Sequence, residues 1–211
     1  MGEPQAIRLE ALFLKNYEAV RMFPSIMFIG PGYDRYELEG RKQWGKWTRW
    51  GRAEYPASTW KDFLLSNVIW SKDVIGTQLS QEDFELVKRL TISPNRTPRD
   101  DDHFLIHGNC GLKNVLFEGS NLACVINPWP VYGPPIHDLV SAFCSTPDSL
   151  NWNTIRFVAN HLLRSLEDQL LIEEVIIGLY QRISTCIEYH PEDLSTYLEA
   201  WFYWVNKYNS L

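Results

Sequence analysis

Apolar positions along this chain recur mostly at helical spacing. Residues 6–22 place Ile7, Leu9, Leu12, Phe13, Leu14, Val20 and Met22 on one broad stripe, which predicts an amphipathic helix. Pro24 and the Ile-Gly-Pro-Gly turn at 29–32 end it, and residues 33–57 are aromatic-rich without a clear period. Ser58 or Thr59 is placed to cap a helix reaching about residue 75, with Asp62 near its positive end. Ser80 caps another helix to about residue 91, with Glu82 and Asp83 in its first turn. The polar stretch at 93–102 reads as a solvated loop.

The period then changes. Residues 103–107 read as a short strand, and 114–118 with 122–126 as a hairpin turning around Gly119, Ser120 and Asn121. Helical spacing returns at 136–145, 153–167, 169–188 and 192–207, with Pro191 starting the last. Three short strands among seven helices predict an α+β domain, mostly helical, that takes up 1–211 as one unit.

Composition excludes several classes. Hydrophobic residues at 45% and charged residues at 22% are those of a chain with a packed core, which argues against disorder. A net charge of −6 argues against a general affinity for nucleic acid or anionic membrane. No apolar run reaches the ~18 residues of a membrane helix. Four cysteines (Cys110, Cys124, Cys144, Cys186) without paired spacing are those expected of a reduced, cytoplasmic protein. One local exception to the acidic balance is residues 40–52, where five basic residues alternate with Trp44, Trp47 and Trp50. Single-strand nucleic-acid sites combine such groups, but tryptophans three apart also pack one face onto a core.

Candidate chemistry is densest between His107 and Asp138. His-Gly-Asn opens a loop at 107–109, Asn114 follows Asn109 by five, a hydrophobic strand ends at Ile126-Asn127, and Gly133-Pro134-Pro135-Ile136-His137-Asp138-Leu139 closes the segment. It resembles the catalytic region of the aminoglycoside phosphotransferase and choline kinase-like family, relatives of the protein kinases. The family pattern is H-G-D-x-x-x-x-N, a strand ending in I-D, then G-D-P-x-x-D-L. This chain keeps His107, Gly108, Asn114, Gly133, Pro135, Asp138 and Leu139, and has Asn109, Asn127 and Pro134 where the pattern has acids. Residues 58–65 resemble, more weakly, the helix that precedes the catalytic strand in the family.

The resemblance implies the C-terminal lobe of a protein kinase-like fold with a small β-hairpin. The N-terminal ATP-binding lobe is expected to be absent, because no strand-rich segment precedes residue 100. It also implies roles. Asn109 stands at the catalytic acid's position, Asn114 and Asn127 at the metal-holding positions, and His107 and Asp138 would support the loop. An amide does not titrate as a base near neutral pH, and Mg²⁺ favours anionic oxygen. The expectation is therefore a catalytically inactive homologue with a binding or regulatory role and no cofactor. Its partner would be a protein, or a second copy of itself, on the face left bare by the missing lobe. The alternative is a kinase for hydroxyl groups of aminoglycoside or choline type, using Mg²⁺ and ATP with a nucleotide-binding lobe supplied in trans. Two other readings of the loop are weaker. His103, His107 and Cys110 lack a fourth ligand for structural zinc, and Cys110 beside His107 has the composition of a nucleophile–base pair without further support.

Overall fold

The computed structural model describes residues 50–52, 55–96, 104–118, 121–127, 129, 131–148, 150–160 and 166–211. The helix expected at 6–22 and most of the Trp-rich basic segment lie outside them. Local chemistry starts the first helices. Thr59 accepts a hydrogen bond from the Asp62 amide at 3.1 Å while the Asp62 carboxylate accepts from the Thr59 amide at 3.1 Å, a reciprocal cap that opens α1 (Trp60–Ile75). Ser80 and Asp83 repeat the arrangement at the start of α2 (Gln81–Ile92). Trp60, Phe63, Leu64, Val68, Ser71 and Ile75 form the buried stripe of α1.

Beyond α2 come α3 (Ile136–Phe143), α4 (Trp152–Ala159), α5 (Asp168–Tyr189) and α6 (Leu194–Asn209). The described residues thus hold six helices; α4 is described to Ala159, and residues 161–165 of the helix expected at 153–167 lie outside the described residues. Pro191 opens a short 3₁₀ turn, Pro191–Asp193, rather than α6 itself. Helix α5 spans about 33 Å and is buried on nearly every side from Leu171 to Tyr180. It is the axis of the molecule: α1, α2, α3 and α6 all pack on it. Around it lies the main core, with Tyr180, Tyr197, Trp201 and Trp204 each at most 1% exposed. The indole Nε1 of Trp201 donates to Asp83 at 2.9 Å and that of Trp204 to the Leu150 carbonyl at 3.0 Å, so both rings are buried with their polar atoms satisfied.

The strands are minor in length but position the loops. β1 (Trp50–Gly51), β2 (Pro56–Ala57), β3 (Phe104–Ile106) and β6 (Val131–Gly133) form an antiparallel sheet in the order β2-β1-β6-β3. β4 (Val115–Glu118) and β5 (Asn121–Val125) form a separate hairpin with an irregularity between Leu116 and Phe117. A second, much smaller core joins the four-stranded sheet to α1 through Trp60, Phe63, Leu64, Ile106 and Val131.

The expected solvated loop at 93–102 needs correcting at its start. Pro94–Arg96 is a 3₁₀ turn, and Arg96 is 3% exposed, facing Glu173 and Glu174 of α5. Among the described residues no helix is long and apolar enough to cross a membrane. Cys110, Cys144 and Cys186 are buried free thiols.

Candidate functional site

Strand β3 delivers His107 and Gly108 into the loop. The buried Asp138, in the first turn of α3, receives them: one carboxylate oxygen accepts from the His107 amide at 2.6 Å and the other from the Gly108 amide at 2.8 Å. Hydrogen bonds to an ionised acceptor are the strong ones, about 1.5–3 kcal/mol each. Gly108 has φ +69°, and a Cβ there would lie 2.1 Å from the Trp129 carbonyl oxygen, so only glycine fits. Trp129 also donates its amide to the His107 carbonyl at 2.9 Å.

The His107 imidazole is fully committed. Nδ1 accepts from the Asn109 amide at 3.3 Å, which leaves Nε2 protonated and donating to the Ile126 carbonyl at 3.1 Å. Burial drives its pKa down to about 4, against smaller opposing effects of these backbone bonds. The ring is neutral near pH 7, with no nitrogen left for a metal or for the Cys110 thiol. His103, the other histidine of the weak zinc reading, lies outside the described residues, and among these no group of three His, Cys, Asp or Glu is placed to hold a metal.

Fold topology brings the three asparagines together. The 3₁₀ turn Leu112–Asn114 curls the loop back, with Gly111 and Asn114 amides donating to Asn109 and Gly111 carbonyls. Asn127 sits at φ +54°, a left-handed conformation that Asn tolerates better than most residues. The side chains then close a ring. Asn109 Nδ2 donates to the Asn127 carbonyl at 3.1 Å, Asn127 Nδ2 to Asn114 Oδ1 at 3.4 Å, and Asn114 Nδ2 to the Asn109 carbonyl at 2.7 Å. Each amide steadies the next position.

That ring bears on Mg²⁺. A divalent ion here would need Asn114 Oδ1, a neutral oxygen that already accepts a hydrogen bond, and an anionic oxygen, which Asn127 does not have. The donor set is neutral, and its amides are hydrogen-bonded to one another. It does not fit the ion, and no phosphoryl-transfer step follows from it.

Two contacts at the rim carried no signal in the sequence. Arg52, on the segment following β1, stacks on the exposed Trp129 ring at 3.4 Å from its centroid, and its Nη1 donates to the Trp129 carbonyl at 2.9 Å. Lys113 donates to His190 Nε2 at 3.0 Å, with Glu192 3.7 Å from Nδ1, which ties the loop to the corner between α5 and α6. Only Gly108, following a strand histidine, could have been flagged beforehand as a close backbone approach. Compared with protein-family models, curated proteins and solved structures, the chain matches none.

Proposed function

We propose that this chain is a phosphotransferase-like lobe, related to the aminoglycoside phosphotransferase and choline kinase-like family, that binds rather than transfers. One observation carries the reading: Asn109 and Asn127, which stand where an active enzyme of this type would hold carboxylates, are neutral amides hydrogen-bonded into a ring with Asn114. Phosphoryl transfer depends on positioned charge around the phosphates, and general-base help alone is worth about 10²–10⁴-fold. With neutral amides both contributions go. What remains is a braced loop on a helical body, a scaffold suited to a protein contact with a second copy or another chain. Three buried free thiols are in keeping with a reducing, cytoplasmic setting.

The test is calorimetry with ATP and Mg²⁺, together with a thermal shift series. The wild-type chain is expected to give no metal-dependent signal. The Asn109→Asp, Asn127→Asp double variant is expected to gain weak divalent-ion binding, because a carboxylate then faces Asn114 Oδ1. A micromolar, metal-dependent response from the wild type would overturn the reading. It would favour a kinase for hydroxyl-bearing amines or sugars completed by a nucleotide-binding lobe in trans. A mass measurement in solution over a concentration series reads self-association directly.

A further inference from the structure

The least expected chemistry in the molecule lies away from the asparagine loop. Arg96, Glu173 and Glu174 are 3%, 3% and 8% exposed. Arg96 pairs with Glu174 through Nη1 and with Glu173 through Nη2 at 3.4 Å, and its Nε donates to the Leu90 carbonyl at 2.9 Å. Facing the cluster from α5 is Gln169, whose Nε2 donates to Glu173 Oε1 at 3.0 Å; α2 contributes the Leu90 carbonyl. Two carboxylates therefore share one guanidinium. Fully ionised, the group would bury one uncompensated negative charge, which is costly out of water. A retained proton removes that charge.

The position of the cluster matters as much as its charge. Arg96 closes the 3₁₀ turn that leaves α2, and strand β3, which leads into His107, is the next described element along the chain. The pairing anchors that turn to the second turn of α5, 77 and 78 residues away.

We propose that Arg96, Glu173 and Glu174 form a proton-dependent latch on this turn, closed while Glu174 keeps a proton and loosened when that proton leaves to solvent. Burial raises the Glu174 pKa, with Arg96 opposing and Glu173 reinforcing the shift. A carboxyl that is harder to ionise in the folded chain contributes stability at low pH and loses it as pH rises through its folded-state pKa. Buried His107 and half-buried His137 act the other way: both pKa values are lowered to about 4, so these groups lose stability as pH falls from 6.5. Comparison with Glu174→Gln, which keeps both histidines, isolates the latch.

Amide hydrogen exchange tests this. As pH rises above 4.5, the ordinary glutamate value, opening at Arg96 and residues 104–106 should increase faster than base catalysis alone explains and faster than in Glu174→Gln, by at most about tenfold per pH unit for one linked proton. The Trp201 amide in α6 should not show the excess, and Glu174→Gln should abolish it. If the two sets of wild-type amides follow the same pH dependence, the latch is refuted, whether or not the variant folds. Equal excess in wild type and a folded Glu174→Gln chain would refute it as well.

Discussion

The helical body around α5 and the sheet-and-loop edge around His107 are stabilised by different means. The body rests on bulk: Tyr180, Tyr197, Trp201 and Trp204 are packed among aliphatic side chains on several helices, so that no single contact decides its shape. The edge has a small core of Trp60, Phe63, Leu64, Ile106 and Val131, and strands of two to five residues. Its geometry depends on one carboxylate, one glycine and a ring of three amides. Burial is non-directional and forgiving in detail, whereas hydrogen bonds fix positions but contribute only about 1 kcal/mol each when neutral. A region built the second way is well defined and locally fragile.

Substitutions should separate the two. Trp201→Ala is expected to cost about 3–5 kcal/mol and to lower the whole denaturant transition, since its ring spans α5 and α6 and its indole holds Asp83 at the start of α2. Acid should act on the edge first. Buried His107 and half-buried His137 are neutral near pH 7, with pKa values lowered from 6.5 to about 4, chiefly by loss of solvation and for His137 also by Arg52. The unfolded chain binds more protons in that window, so stability falls from pH 6.5 towards 4, on the order of 3 kcal/mol per histidine. Exchange of the 104–108 amides should rise before that of α6.

Gly108→Ala forces a left-handed φ on a side chain and a clash with the Trp129 carbonyl, together about 2–4 kcal/mol. Chemical shifts should move around 107–129 while α5 and α6 keep theirs. Asp138→Asn replaces one acceptor oxygen with a donor aimed at a backbone N–H, a loss of about 1.5–3 kcal/mol, again read locally. The smallest effect belongs to Arg52→Ala. Removing the exposed stack on Trp129 should cost about 0.5–1 kcal/mol, visible as a change in Trp fluorescence with little shift in the unfolding midpoint. If Gly108→Ala or Asp138→Asn instead unfolded the helical body cooperatively, the contrast between the two regions would be wrong.

Much of the fold was legible because its signals are local. Thr59 with Asp62 and Ser80 with Asp83 announce helix starts within four residues, and the runs behind them are long enough to show their period. β1 and β2 were not legible, because two-residue strands have no period and exist only by pairing with β6 and each other. The spacing of Asn109, Asn114 and Asn127 marked them out, but their mutual bonding depends on the turn at Leu112–Asn114 and on the left-handed Asn127. Arg96 looked like part of a polar loop because its counter-charges lie on α5, far along the chain.

By itself, the order of residues determined where helices begin, which faces are apolar and which side chains stand at the loop's chemical positions, since these depend on neighbours within a turn or two. Tertiary structure alone decided that the three amides bond to each other, that His107 has no free nitrogen and that a lone arginine is buried between two glutamates. Those outcomes require groups 13 to 78 positions apart to meet, and such meetings are set by how the helices pack around α5.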